Sequence, residues 1–289
     1  MRPASRLSFD LCAFGLALSL TGAVSAQPAV PASVVATIYE APKNPAHQPV
    51  LDLLREKRAL EKAAEFYRLF RLPRPLTLKA KGCDGEIDAW FENDEITICY
   101  EYVAYVLDIA RDPKRPDWVS ENDALVGPVI DLFLHEGGHA IFDYLKIPVL
   151  GNEEDAADFV ASYVELNLYK ADAYGLIAGI VYCYLNEAGV HSFKKLKRMP
   201  GGPVDGQTFA DAHSTPLQRM YNVLCLAYGS DPVRYKALID KGVLPAERAS
   251  GCKVEYEQVD HAFKTLLVPH IDQAALARLF PQVSSAAPK

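Results

Sequence analysis

The sequence predicts an α+β fold, a small antiparallel sheet followed by a mostly helical part. Three observations carry this. Short alternating runs with strand character are confined to residues 76–100. Beyond residue 120 the apolar spacing is helical almost to the end. Between the two lies LFLHEGGHAIFDYL, Leu132 to Leu145, whose apolar residues run nearly all round a helix, as in a buried one. Strands first and helices after is an α+β order.

Taken in order, the chain opens with Arg2 and Arg6, an apolar run from Leu11 to Leu20, and Val24-Ser25-Ala26. This is the pattern of a secretory leader cleaved after Ala26, and the run is too short to span a bilayer. The mature protein is expected to be secreted or periplasmic, with no stable membrane insertion. Residues 27–49 carry five prolines and read as a linker or extended arm. Residues 50–71 have helical spacing, stopped by Pro73 and Pro75. Leu76 to Lys79 alternates as a strand. Asp88–Glu92 and Ile96–Tyr100 flank Asn93-Asp94, which predicts a hairpin. A short helix is expected over 101–109 and a loop over 111–120, with Asn122 or Asp123 starting the central helix. Later helices are expected at 153–170, 172–188, 208–229, 232–241 and 255–280, broken at 199–206 and 244–251. The main domain is therefore expected to span 50–280, and 281–289 to be a disordered tail.

The central helix carries the chemistry. His135-Glu136-Gly137-Gly138-His139 places two imidazoles four residues apart, on one helical face, where both can bind one metal ion. Glu136 beside them can exchange a proton with a water on that metal. The polar stripe Asp131, His135, His139 and Asp143 needs partners in an otherwise apolar helix. Gly137 and Gly138, each costing about 1 kcal/mol against Ala in a helix, imply a close neighbour.

A catalytic zinc takes three protein ligands. The next helix opens Asn152-Glu153-Glu154-Asp155, with Asn152 as N-cap and acids suited to the helix dipole. A loop of about six residues lets that helix return beside the first, bringing Glu154 to the level of His139. Glu153 and Asp155 are expected to serve the helix end alone.

With Glu154 and Asp158 forming E-x-x-x-D downstream of H-E-x-x-H, the chain resembles the gluzincin zinc peptidases of the thermolysin type. A closer resemblance is to a family of exported bacterial proteins regarded as metallopeptidases of unknown substrate. It rests on HEGGHA, then IPVLGNEEDAAD, then DAH followed by QRMYNVLC. The resemblance implies a zincin-like domain with one Zn2+ held by His135, His139 and Glu154. It also implies Glu136 as general base and Asp158 orienting a ligand histidine. In gluzincins an edge strand pairs with the bound peptide, a place that falls to Ala89-Trp90-Phe91 here, unless those aromatics are hairpin core. Such enzymes also use a histidine or tyrosine on the developing oxyanion. His213, with Asp211 near it, fits that place and Tyr221 is the reserve; the other reading has Asp211 or Ser214 capping a helix beside a bystander His213. Arg219 either assists or pairs with an acid.

Five cysteines follow the leader, so at least one is unpaired within the chain. Cys183, inside LIAGIVYCYL, is the expected free thiol. The pairs Cys83–Cys99 and Cys225–Cys252 match the cysteine pattern of the closer family. The net charge of −7 argues against nucleic acid as a partner. The expected substrate is a peptide or protein. Two other readings stay open: a catalytically silent zinc-binding envelope protein, and an amide or ester hydrolase acting on cell-wall material. Oligomeric state is not encoded in any of these patterns.

Overall fold

The structure, a computed structural model, describes residues 34–191 and 210–280. The leader, the start of the arm, the 199–206 break and the tail lie outside the described residues. The described part is α+β. Its strands are β1 (Val35–Tyr39), β2 (Leu76–Lys81), β3 (Ala89–Glu92) and β4 (Glu95–Cys99). The helices before the loop at 146–152 are α1 (Gln48–Glu56), α2 (Ala59–Tyr67), α3 (Tyr100–Arg111) and α4 (Glu121–Leu145). After it come α5 (Glu153–Asn167), α6 (Ala173–Glu187), α7 (Pro216–Ser230), α8 (Ala237–Asp240), α9 (Ala246–Leu266) and α10 (Gln273–Leu279).

The sheet is mixed, not antiparallel as expected. Its order is β1-β2-β4-β3, with β1 and β4 each parallel to β2 and only β3 antiparallel, to β4. The presumed arm is extended but paired: Val35 to Tyr39 lies along Leu76 to Ala80. Parallel pairing needs a crossover of a dozen residues or more, and α1 with α2 supplies it. The expected hairpin is present. Asn93 and Asp94 take φ of 52° and 63°, the pair of left-handed residues that a two-residue turn of the favoured twist requires. Among the described residues β3 is an edge strand, paired on one side only. The single helix expected over 50–71 is two, because Arg58 turns left-handed at φ 52° between them.

The later boundaries also move. α7 begins at Pro216, capped by Thr215 and Gln218 in a reciprocal box. The expected break at 244–251 is mostly helix, since α9 starts at Ala246. The helix expected over 255–280 stops at Leu266, and after a single turn at Val268–His270 α10 is capped by Asp272.

α4 is the central element. Ser120 caps it by accepting from the Asp123 amide at 3.0 Å, so it starts slightly earlier than expected. One side of α4 packs with the sheet and α2 in a first core that includes Leu78, Ile96, Phe66, Phe133 and Ile141. Another side meets α6, whose Ile177, Ile180 and Val181 belong to a second core with α7, α8 and α9. Two disulfides close one loop in each part: Cys83–Cys99 and Cys225–Cys252, with Cys183 free and buried.

The glycines of α4 are explained by these neighbours. A Cβ on Gly138 would stand 3.0 Å from the Ala157 Cα of α5. A Cβ on Gly137 would strike the Tyr67 ring, whose hydroxyl donates to the Phe133 carbonyl one turn before. At Gly127 the obstacle is backbone, the Leu176 carbonyl oxygen at 2.6 Å. Backbone cannot swing aside as a side chain can. Gly127→Ala is therefore expected to destabilise by about 1–3 kcal/mol despite its better helix propensity. Urea denaturation measures this.

Candidate metal centre

The site forms where α4 passes the start of α5. Lys146 ends α4 in the left-handed conformation at φ 52°, and the chain turns back to Asn152. Asn152 caps α5, its Oδ1 accepting from the Glu154 amide at 2.9 Å. This return sets Glu154 against both histidines, as the loop length predicted. His135 Nε2 lies 3.1 Å from Glu154 Oε2, His139 Nε2 lies 3.3 Å from it, and the two imidazole nitrogens are 3.3 Å apart.

These three atoms fit a metal. With bonds near 2.0–2.1 Å, the ligand atoms of a tetrahedral zinc stand roughly 3.3 Å apart. The other nitrogen of each ring is occupied. Asp158 Oδ1 sits 2.7 Å from His135 Nδ1, and Glu153 Oε1 sits 2.9 Å from His139 Nδ1. A carboxylate at Nδ1 holds the proton there and leaves the Nε2 lone pair for a cation.

Asp158 is itself held. Arg219 of α7 reaches it with two hydrogen bonds, Nε to Oδ2 at 2.8 Å and Nη2 to Oδ1 at 2.6 Å. Of the two roles open to Arg219, the structure gives the pairing with an acid. Burial alone would push the Asp158 carboxyl up, but hydrogen bonds from His135 and Arg219 bring it down to about 2. The hydrogen bond from His135 is the largest effect on Glu154 and lowers it to about 2, against its burial. Glu136, next to His135 and only 6% exposed, is pushed up, first of all by burial. Its Oε1 lies 4.0 Å from His135 Nε2.

His213 comes to the same place. Its Nε2 stands 2.9 Å from Glu154 Oε2, and its ring stacks toward that of His135 at 6.1 Å. Asp211 Oδ1 accepts from the His213 amide at 2.9 Å and lies 3.5 Å from its Nδ1. The Asn152 side-chain amide donates to the Ala212 carbonyl, which ties this loop to the start of α5. The expected reserve, Tyr221, instead packs against the second core. Ala89 lines the cleft together with Glu136, His135 and His213, so the edge strand starts at the site. Trp90 faces elsewhere, under the Lys81 ammonium at 5.1 Å, and Phe91 packs edge-on against Tyr144.

One partner went unread in the sequence, and another was read without its acid. Glu153 was expected only to favour the helix end, yet it holds His139. Its place directly before Glu154 in the first turn is the one local signal. Arg219 lies 61 residues from Asp158, and no local pattern links them.

With this geometry in place, the comparison with known families is informative. A family described as "Putative metallopeptidase" matches residues 39–267. The chain belongs to it. Family membership implies a metal-dependent hydrolase acting on peptides, and among the described residues the His135, His139 and Glu154 group can hold that metal. No curated protein and no solved structure matches the chain.

A metal held by this group would compete with a proton for His135. In the metal-free site burial would lower its pKa, but the hydrogen bonds from Asp158 and then Glu154 outweigh this and hold it up to about 10. A folded pKa above the unfolded value means this group stabilises fully below about pH 6.5. That contribution is lost as pH rises through about 10. Chelator-treated protein should thus lose melting temperature between these limits, while metal-loaded protein, whose ring is already neutral, should not lose it for this reason. Metal affinity should rise with pH over the same window. Thermal scans and chelator competition from pH 6 to 10 check both.

Proposed function

We propose that this chain is an exported zinc peptidase. The observation that supports it most directly is the convergence of His135, His139 and Glu154 beside Glu136, in a cleft that begins at the edge strand β3. Two imidazoles and one carboxylate are a donor set suited to catalytic zinc, leaving a position open for water or substrate. When bound, zinc supplies a Lewis acid that lowers the pKa of a water to about 7 and polarises a carbonyl. The leader pattern and the two disulfides support an oxidising, exported location.

The chain's own residues divide the remaining work. Glu136 takes the proton of the attacking water and returns it to the leaving amine. Its buried position, which raises its proton affinity, suits both halves of that exchange. Asp158, fixed by Arg219, and Glu153 orient the two imidazoles. β3 offers its outer edge to the peptide backbone from Ala89 onward, so the substrate lies as an added strand. His213, half-exposed beside Glu154, donates a hydrogen bond to the developing oxyanion, and Asp211 sets its ring.

Variants separate these roles. Glu136→Gln should keep about one zinc per chain and lose activity, because the base alone is removed. Full activity in that variant would exclude this mechanism. Glu154→Ala should release zinc. Asp158→Asn should weaken zinc by roughly 10- to 100-fold, Glu153→Ala by less because that pair is solvent-exposed, and Asp155→Ala should not weaken it. Competition with a chromophoric chelator gives the order.

His213→Ala should keep fold and zinc while kcat falls by roughly 100- to 1000-fold, the loss expected for one oxyanion donor. Steady-state kinetics on a cleaved library peptide measure it. Unchanged kcat in the zinc-loaded variant would remove His213 from the mechanism.

A further inference from the structure

The cleft continues past Glu136 into a recess between α4 and α6. The whole cleft, metal site included, encloses about 170 Å3, well above the 10–15 Å3 or so that one water needs. Around it stand Ala89 from the edge strand, Asp131 and Glu136 from α4, Cys183 and Glu187 from α6, and Arg219 from α7. The wall is thus shared between the strand proposed to carry the peptide backbone and the residue proposed to move the proton. A side chain next to the scissile bond has this recess to enter.

The charges of the wall decide what it accepts. Arg219 is already committed: two of its nitrogens donate to Asp158 and its guanidinium lies over the Tyr184 ring at 4.9 Å. Asp131 is buried, with the Tyr184 hydroxyl 3.3 Å from its Oδ2. Glu136 belongs to the proton transfer. Glu187 remains. It is the last residue of α6, where the free carbonyls of a helix end disfavour a carboxylate. Among the described residues no Lys, Arg or His stands within ion-pair distance of it, and its hydrogen bond comes from the Cys183 thiol at 3.4 Å. The residue reaches the surface, yet burial of its carboxyl pushes its pKa up, which the Cys183 hydrogen bond and the Arg219 charge do not offset. Among the described residues this carboxylate is compensated only in part, by the Cys183 thiol and the charge of Arg219, and it stands at an unfavourable helix position on the cleft wall, where a ligand can bring a counter-charge.

We propose that this recess receives the substrate side chain adjacent to the cleaved bond, and that Glu187 makes it select a basic one, lysine or arginine. The cationic head would meet the Glu187 carboxylate while the methylene stem lies along the apolar part of the wall. The proposal rests on the peptidase reading above, so its test carries one readout that does not depend on cleavage.

In the first arm, zinc-loaded protein is given a peptide library varied on both sides of every bond. Cleavage should concentrate at bonds flanked by Lys or Arg. Glu187→Leu and the isosteric Glu187→Gln should each lower the kcat/KM preference for basic over neutral peptides by about tenfold or more. Glu187→Lys should turn the preference toward Asp and Glu, which a merely structural role would not do. In the second arm, n-butylguanidinium and uncharged butyramide are titrated into zinc-loaded protein by ligand-observed NMR. The cation should bind more tightly, and Glu187→Gln should remove that difference. Cleavage without basic preference, a preference for acidic side chains in the wild type, or an unchanged preference in Glu187→Gln overturns the proposal. Cation binding that depends on Glu187 with no cleavage of any peptide supports the recess assignment and rejects the peptidase reading. No cleavage and no cation preference overturns both.

Discussion

The structure turns on one constraint: a helix buried on nearly every side carries four polar residues that must all be satisfied. Asp131, His135, His139 and Asp143 occupy successive turns of α4, and their partners come from α6, from α5 twice, and from the segment before β2 together with the end of α4 itself. The Tyr184 hydroxyl of α6 meets Asp131; Asp158 of α5 meets His135; Glu153 at the start of α5 meets His139; Arg74, before β2, and Lys146 meet Asp143. Leaving Asp131 or His135, the buried members, unpaired would cost on the order of 1–3 kcal/mol. The polar stripe therefore specifies where α5, α6 and the sheet can pack. The apolar residues around it supply the driving force but little of this positional information.

The same constraint accounts for the glycines. Partners can reach the stripe only if their backbones come close, and closeness is what Gly127 and Gly138 permit, against α6 and Ala157 respectively. Packing and chemistry are one requirement here. A bulkier α4 would hold its neighbours too far away for Asp158 to reach His135, and the imidazole would lose the carboxylate that fixes its tautomer.

What could be read from the sequence was local. The H-E-x-x-H spacing, the Asn152 cap, the length of the 146–152 loop and the Asn93-Asp94 turn each specify geometry within a few residues. From them the meeting of His135, His139 and Glu154 follows. The parts that escaped are non-local. The parallel pairing of Val35 to Tyr39 with β2 depends on a crossover of two helices, and five prolines made that stretch look like an arm. Arg219 and Asp158 meet only because α7 packs across α5. The left-handed Arg58 splits one apparent helix into two, although neither Lys57 nor Arg58 is a recognised helix breaker. Glu153 was misread for another reason: an acid in a first helical turn already has an adequate explanation, which hid its contact with His139.

Asn152 has a consequence for how the chain can vary. One oxygen of its side chain starts α5, and its nitrogen grips the carbonyl of Ala212, directly before His213. The imidazole is thereby moored from across the cleft, with its own α7 beginning only at Pro216. A related chain is accordingly expected to keep the asparagine wherever it keeps the histidine, because losing the amide would release the carbonyl that precedes the imidazole.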